Sequence, residues 1–442
     1  MSSSKDDRLS SLPSDIMVTI LSLLPLKSAI STSILSRSWR YLWTHISALR
    51  FTSPYYVTNK FYLDMFRPLG RMSWQKIYTL ELIISTQTII STASRINIIE
   101  LGYCLLCIGH SIKEFKPKFE IYDYMINVPP YIFELQSIEV LELGGLGIRN
   151  REINYKLPKL RKLVIDIGGF DLECLENLVK SCPMLEILRA NVDVKENLAY
   201  PIEIISRNLK WVCIILIGAR QYFTQGKKKV VFDAPKLEYL EFNSPIMLEF
   251  CFLKTPSRLL RAKLSSEDDE SNSGLAEGII NPKQGLLALL NPIFQVNTLI
   301  LSGDILIGLS KIHQNKVQMF QKLTHVEMKL SGRTYLSCIG VNRFLQRCPN
   351  LKSLVLTRRC ASYLWVIYLV PLLSKTNLGN IYWWNDSFSE RDVKIICNFV
   401  NVIKDDMMMI EITMHVYQDN QFIKCVKEFV LPNQLWRIYD DQ

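Results

Sequence analysis

The chain has 442 residues, of which 48% are apolar and 21% charged, and its formal net charge is +10. This composition supplies enough apolar material for a large core and excludes a wholly disordered chain. No apolar run approaches the roughly 18 residues that cross a bilayer, and the polar N-terminus lacks the apolar core of a signal peptide. We therefore expect an intracellular protein, cytoplasmic or nuclear, with no membrane partner.

The positive charge does not by itself indicate a nucleic-acid partner. Basic residues are dispersed along the chain, and the one tight run, Gly-Lys-Lys-Lys at 226–229, is typical of a solvated turn between two strands. We expect no nucleic acid to bind.

The eleven cysteines are scattered and odd in number. Cys104 and Cys107 have CxxC spacing and His110 follows, but a zinc site needs four ligands and no second CxxC completes this one. We interpret these residues as the apolar face of a helix, and expect no metal or other cofactor.

Three short helices are predicted in the first fifty residues. The first begins near Leu12-Pro13, since proline is tolerated where amides lack helical acceptors, and it ends at Pro25. The second runs from Leu26 to about Ser33. Apolar residues recur at helical spacing; they are Ile16, Ile20, Leu21 and Leu24 in the first helix and Leu35, Trp39, Leu42 and Trp43 in the third.

These helices carry more large apolar groups than three short rods can bury among themselves. Each such side chain, when fully buried, contributes roughly 1.5–3 kcal/mol. Two interpretations remain open from spacing alone: an interface with another protein, or helices that cap the rest of the chain.

The run LPSDIMVTILSLLPLKSAISTSILSRSWRYLW resembles an F-box, in the form found in plant F-box/leucine-rich-repeat proteins. One departure is Ser28, where this form often has an acid. The resemblance implies docking onto the Skp-type adaptor of a cullin ubiquitin ligase. It implies adaptor contacts from Leu12, Pro13, Ile16, Ile20, Leu21, Leu24 and Pro25, with Leu35, Trp39 and Trp43 shared between the interface and the small core.

Beyond residue 50 one phrase recurs: an apolar residue, two others, an apolar residue, one other, an apolar residue. We call its three apolar positions the anchors. Successive copies from Ile138 onward start 22 to 28 residues apart, with one step of 37 between Leu259 and Val296. Leucine-rich repeats have periods of about 20–29 residues. The anchors are Ile77-Leu80-Leu82, Ile138-Leu141-Leu143, Leu160-Leu163-Ile165, Leu185-Leu188-Ala190, Leu209-Val212-Ile214, Leu237-Leu240-Phe242, Leu259-Ala262-Leu264, Val296-Leu299-Leu301, Leu323-Val326-Met328 and Leu351-Leu354-Leu356, with a weaker copy at Ile112-Phe115.

This pattern predicts an α/β chain in which a short all-α F-box of three helices precedes a leucine-rich repeat solenoid with a parallel concave sheet. Each unit is expected to be a strand, a turn and a helix. The predicted domains are the F-box at 1–50, about ten repeats at 51–376, and a C-terminal cap at 377–442. The polar stretch at 265–274 is expected to be a disordered loop. Within the cap we expect a helix near 390–402 and a strand near 408–414.

Because neighbours in a strand point to opposite sides, residues between buried anchors face the concave surface. The middle of this surface is apolar and aromatic and is flanked by charge, as in many binding patches. We therefore predict target binding by Arg189, Trp211, Ile215, Tyr239, Glu241, Arg261 and Lys263.

The sequence lacks a phosphate-binding glycine loop, an HExxH motif and a GxSxG motif, so we expect no enzyme. By resemblance the chain is a substrate-recognition adaptor whose F-box docks a Skp-type protein, and through it cullin, while the repeats hold an unidentified protein substrate. Two other hypotheses remain open. One is a scaffold outside any ligase, and the other is a receptor whose concave surface takes a small molecule.

Overall fold

The computed structural model describes most of the chain between residues 9 and 440. The described residues are 9, 11–52, 71–72, 77–86, 110–121, 126–128, 130–147, 153–168, 170–193, 202–217, 229–244, 249–266, 282–330, 334–358, 380–385, 409–416 and 436–440. They fall into two compact units, Met1–Asp193 and Val194–Gln442.

The first unit begins with two α-helices, α1 (Ser14–Ser22) and α2 (Leu26–Ser31). Pro13 and Pro25 stand immediately before them, each with φ of −55°. Proline suits this position because its fixed φ fits the first helical turn and its missing N–H would have no helical acceptor there. The two predicted helix starts are confirmed.

The segment expected to form a third α-helix folds differently. A 3-10 turn at Thr32–Ile34 follows α2, residues 35–41 form turns, and the next helical residues are a 3-10 turn at Leu42–His45. Ser36 and Ser38 hydrogen-bond to each other through their hydroxyls at 2.6 Å.

The small core of the F-box region contains both tryptophans. Trp39 is 4% exposed and Trp43 is 6% exposed, and they are buried together with Leu21, Leu26 and Ala29. Part of the apolar surface that the sequence offered for an interface is therefore covered within the chain itself.

The rest of the first unit is a parallel ladder of short strands. They are β1 (Ala48–Thr52), β2 (Thr79–Thr86), β3 (Glu114–Ile121), β4 (Ile126–Asn127), β5 (Val140–Gly147), β6 (Lys162–Gly168) and β7 (Ile187–Asp193). The order across the ladder is β1, β2, β3, β5, β6 and β7, with β4 beside β5. Helix α3 (Leu172–Lys180) lies between β6 and β7 in the chain, and Asp171 caps it by accepting a hydrogen bond from the Cys174 amide at 2.9 Å. A 3-10 turn at Pro130–Glu134 precedes β5.

The second unit contains a longer parallel ladder and a small second one. Its strands are β8 (Ile202–Ile205), β9 (Trp211–Ile217), β10 (Lys229–Asp233), β11 (Tyr239–Asn243), β12 (Glu249–Phe252), β13 (Arg261–Ser266), β14 (Thr298–Gly303), β15 (His325–Leu330), β16 (Ser353–Arg358), β17 (Asn380–Asn385), β18 (Met409–Val416) and β19 (Trp436–Asp440). Its helices are α4 (Pro282–Leu290), α5 (Asp304–Ser310) and α6 (Thr334–Leu345), with 3-10 turns at Asn291–Ile293 and Gln314–Lys316. The long ladder runs β9, β11, β13, β14 and on in chain order to β19, and the small ladder is β12-β10-β8.

The anchors form the core of both units, as predicted. Every anchor whose side chain is described is at most 7% exposed, and most are at 0% or 1%. The weaker copy is a full repeat, since Ile112 and Phe115 are completely buried at the start of β3. A further copy, Ile46-Leu49-Phe51, is buried around β1 and was missed by the sequence prediction. The first repeat therefore begins inside the predicted F-box range.

The prediction of a helix in every repeat is wrong for part of the second unit. Between β9 and β13 the chain alternates between strands of the long ladder and the strands β10 and β12. Strands β10 and β12 pair in parallel with each other, and β10 also pairs with β8. Strands replace helices here because Val230, Val231 and Phe232 form a continuous β-branched and aromatic run, all of it buried. No helix among the described residues combines the length and apolar character needed to span a bilayer.

The C-terminal segment extends the ladder. Strands β17, β18 and β19 pair in parallel in succession after β16. The strand expected near 408–414 is confirmed as β18, while the helix expected near 390–402 lies outside the described residues, as do 267–274 of the expected loop. The boundary at 376 stays a prediction.

Candidate adaptor-docking and target-binding surfaces

Helix α1 exposes one apolar stripe. Ile16 is 44% exposed, Ile20 36% and Leu23 69%, and these residues share a face because they lie four and seven positions apart. Met17 and Leu21 on the opposite side are buried. The side chains of this stripe are therefore not part of the core that the chain itself forms.

A second exposed apolar group follows α2. Ile34 is 87% exposed, Leu35 63% and Tyr41 67%. We call these three residues, together with Ile16, Ile20 and Leu23 of the α1 stripe, the F-box surface. Exposed large apolar side chains in such number on a short segment are typical of a protein-binding site.

The ten predicted adaptor contacts divide three ways. Pro13, Ile16, Ile20, Pro25 and Leu35 are exposed, Leu12 and Leu24 are half-buried, and Leu21, Trp39 and Trp43 are buried. The structure thus gives the two tryptophans and Leu21 a place in the core, and their adaptor contact stays a prediction. Sequence reasoning missed Leu23, Ile34 and Tyr41; the position of Leu23, seven residues after Ile16, was a usable signal.

Arg50 ties the F-box helices to the first strands of the ladder. Its guanidinium donates hydrogen bonds to the Ser22 carbonyl at the end of α1 and, through Nε at 3.0 Å, to the Glu81 carboxylate on β2. A cation at a helix C-terminus is also favoured by the helix dipole. Helix α1 is thereby held against the repeats of the first unit.

In the long ladder of the second unit, neighbouring parallel strands pair in register, so their outward residues form rows. One row is Trp211 of β9, Tyr239 of β11 and Arg261 of β13; we call it the aromatic row. The row beside it contains Glu241 and Lys263. Six of the seven predicted target-binding residues therefore lie on the adjoining strands β9, β11 and β13, five of them in these two rows.

Trp211 and Tyr239 stack on each other. Their ring centroids are 4.9 Å apart and the rings are nearly parallel, at 4°. The Tyr239 hydroxyl donates to Glu241 Oε2 at 3.0 Å, and Lys263 Nζ donates to Glu241 Oε1 at 2.6 Å. One carboxylate thus fixes both an aromatic ring and an ammonium group.

The electrostatics of this cluster follow from those contacts. Burial raises the pKa of the Tyr239 phenol to about 12, and its hydrogen bond to Glu241 acts in the same direction. Burial opposes ionisation of Glu241, but the hydrogen bond and charge of Lys263 outweigh it and lower the pKa of that carboxyl. At neutral pH Glu241 is ionised, Lys263 neutralises it, and Tyr239 keeps its proton.

The other predicted outward residues have varied exposure. Arg261 is exposed and Ile215 is half-buried on β9. Cys213, also expected to face outward, is only 2% exposed. Arg189 is exposed on β7 of the first unit, where it pairs in register with Val164.

The outward charges of the first unit are largely paired with each other. Lys162 contacts Glu142 at 2.7 Å on the neighbouring strand. Asn191 donates to the Asp166 carboxylate at 2.5 Å, and Arg50 pairs with Glu81 at 3.0 Å. These polar groups therefore have partners within the first unit.

Within the described ranges there is no cluster of three or more His, Cys, Asp or Glu residues that could hold a metal ion. Cys104 and Cys107 of the CxxC pair lie outside those ranges. Burial raises the pKa of Cys174 to about 11 and that of Cys182 to about 12, and it raises the pKa of Cys348 as well. These thiols are therefore protonated at neutral pH and are weak nucleophiles.

Comparison with known families adds to this geometry. The F-box domain family matches residues 9–50, which hold α1, α2 and the two 3-10 turns. The family described as FBD-associated F-box protein At5g56370, LRR repeats, matches residues 111–262, from β3 to the start of β13.

Similar proteins come from Arabidopsis thaliana. The FBD-associated F-box protein At4g10400 is 27% identical over 79% of this chain and 77% of its own length. The F-box/FBD/LRR-repeat protein At2g04230 is 29% identical over 65% of this chain and 64% of its own length. The F-box/LRR-repeat protein At3g59200 is 26% identical over 81% of this chain and 70% of its own length. Residues 9–50 thus match the F-box domain and residues 111–262 match a leucine-rich-repeat family, and the chain is similar to the F-box/leucine-rich-repeat proteins of Arabidopsis thaliana.

Proposed function

We propose that the chain is the substrate-recognition subunit of a Skp–cullin–F-box ubiquitin ligase. The observation that carries this proposal is the F-box surface, six exposed large apolar side chains within residues 16–41. F-box domains generally bind Skp-type adaptors, and apolar anchors of this kind account for most of the energy of many protein interfaces.

The second half of the proposal concerns the ladder. Its outward residues are held by a rigid scaffold of buried anchors, and parallel strands place them in rows that a protein target can span. The chain would contribute proximity and no bond-making chemistry: it holds the target near the conjugating enzyme and so raises the effective concentration of its lysines. The proposal puts the chain in the cytoplasm or the nucleus.

Adaptor binding tests the first half. The purified chain is titrated with a Skp-type adaptor, and Ile16→Asp is compared with Ser28→Asp, which adds the same charge at an exposed polar position of α2. We expect Ile16→Asp to weaken binding at least tenfold, since an interface anchor is worth about 2 kcal/mol or more. Ser28→Asp should leave affinity within about twofold. Failure of the unaltered chain to bind the adaptor would contradict the proposal.

Target stability tests the second half. Proximity labelling is done in cells that carry either the full chain or the Ile16→Asp variant, with the proteasome inhibited. Substrates should be labelled by both forms and should accumulate when only the variant is present. If depletion of the chain changes neither the ubiquitination nor the half-life of any labelled protein, the chain is a scaffold outside the ligase.

A further inference from the structure

The aromatic row presents ring edges to its surroundings. Trp211 and Tyr239 project from paired positions of neighbouring strands, and their centroid separation of 4.9 Å matches the strand spacing of about 4.8 Å. The rings therefore lie face to face along the ladder, and each stands upright on the sheet. The rings offer apolar area, and their weakly positive edges are compatible with a carboxylate bound close by.

The residue that follows Tyr239 in this row is a cation. Arg261 pairs in register with Tyr239 on the next strand, is exposed, and has no ion pair with any residue that the structure describes. Its charge lies close enough to act on the Tyr239 phenol. Lys263 differs, because Glu241 accepts a hydrogen bond from it at 2.6 Å. Of these two basic residues, Arg261 is the one left to meet an outside anion.

The first unit supplies the internal contrast. Its outward cations Lys162 and Arg50 are each matched by a glutamate on the neighbouring strand. Beside the aromatic row the carboxylate of Glu241 is already bound by Tyr239 and Lys263. The arrangement at β9–β13 thus combines a wide apolar pair with an uncompensated guanidinium, which suits a carboxylate that neighbours an apolar side chain.

We propose that the aromatic row recognises an acidic, extended segment of the target protein, with a carboxylate on Arg261 and an apolar side chain against Trp211 and Tyr239. In an extended segment alternate residues point to one side, so acidic and apolar side chains two apart reach adjoining strands. This inference rests on the proposed function, because it names the class of target that the ladder takes.

The test uses the intact chain, immobilised as its complex with the Skp-type adaptor, and a phage-displayed library of random dodecapeptides. Three forms are compared: the unaltered chain, Arg261→Glu, and Arg258→Glu as the control. Arg258 is exposed in the turn before β13 and is outside the row, so it undergoes the same change of charge elsewhere. Selected peptides are then synthesised, and their affinities are measured by fluorescence anisotropy at low and high salt.

We expect the unaltered chain and Arg258→Glu to select peptides enriched in Asp and Glu beside an apolar residue. Arg261→Glu should lose this enrichment and bind the selected peptides at least tenfold more weakly. Salt should weaken binding to the unaltered chain. Absence of selected peptides, enrichment of basic peptides, or equal selection by Arg261→Glu would overturn the inference. Adaptor affinity should be the same in all three forms, so loss of adaptor binding marks a failure of the proposed function instead.

Discussion

The F-box surface and the aromatic row differ in the kind of partner that their exposed side chains can bind. The F-box surface consists mainly of aliphatic groups such as Leu23 and Ile34, which are 69% and 87% exposed. The aromatic row adjoins Glu241, whose carboxylate already binds two neighbours. The first surface therefore gains by burial against any complementary apolar partner, whereas the second requires a partner of matching charge. The proposed docking of an adaptor consequently needs only an apolar partner, whereas the proposed choice of target also depends on charge.

The largest expected effect tests which residues of the F-box belong to its core and which to its surface. Trp43→Ala should lower the free energy of unfolding by about 3–5 kcal/mol, the usual cost of removing a buried large aromatic side chain. Leu35→Ala should change it by less than about 0.5 kcal/mol, because Leu35 is 63% exposed. Urea unfolding measures both, and adaptor titration should show reduced affinity for Leu35→Ala. Equal stability losses in the two variants would mean that the F-box surface is covered within the chain.

The repeats are expected to tolerate less change in packing than the F-box surface. A Cβ on Gly340 of α6 would overlap the backbone carbonyl oxygen of Leu306 on α5, which cannot move aside as a side chain can. Gly340→Ala should destabilise by about 1–3 kcal/mol through overpacking. Gly308→Ala is the control, because its Cβ meets only the end of the Leu286 side chain at 3.0 Å. Thermal unfolding that ranks Gly308→Ala as the worse variant would contradict this account.

The hydrogen bonds that Glu241 makes to Tyr239 and Lys263 are tested by replacing Glu241. Glu241→Gln should cost about 1–3 kcal/mol at neutral pH, since Lys263 loses the carboxylate that binds it. The folded pKa of Glu241 is lowered, so its contribution is present above the ordinary value of 4.5 and is lost as pH falls through the folded pKa. Unfolding of both forms is therefore measured from neutral to acid pH, and the difference should shrink in acid. A constant difference would show that charge is not the cause.

The smallest effect is expected on the paired face of the first unit. Lys162→Ala breaks the contact with Glu142, but both side chains are about one third exposed. Solvated pairs of this kind contribute about 0.2–1 kcal/mol. Urea unfolding should detect no more than that, and added salt should reduce it. A larger loss would mean that this face is less solvated than its exposure indicates.

The sequence predicts the core of the fold better than its ends. The spacing of the anchors is sufficient to predict burial, because an apolar pair separated by one residue must share one side of a strand. Ile46-Leu49-Phe51 has the same spacing, but it was missed because it straddles residue 50, the predicted boundary between the F-box and the repeats. The turn predicted at 226–229 implied a strand after it, but not that Val230-Val231-Phe232 would pair outside the long ladder.

The site residues were predictable only in part. Alternation in a strand predicts that Trp211, Tyr239 and Arg261 face one way, but not that Glu241 binds both Tyr239 and Lys263. Those bonds depend on strand register, which is a property of the folded ladder. The resemblance implied a share of Trp39 and Trp43 in the small core, but the extent of their burial depends on how the turn at 35–41 folds back.

The central claim is that apolar burial at the F-box surface drives docking of a Skp-type adaptor. Isothermal titration calorimetry of the intact chain with that adaptor, repeated at several temperatures and at low and high salt, tests it most directly. The account predicts a large negative heat-capacity change and an affinity that salt barely alters. Failure to bind, or binding with a heat-capacity change near zero and a steep dependence on salt, would contradict it.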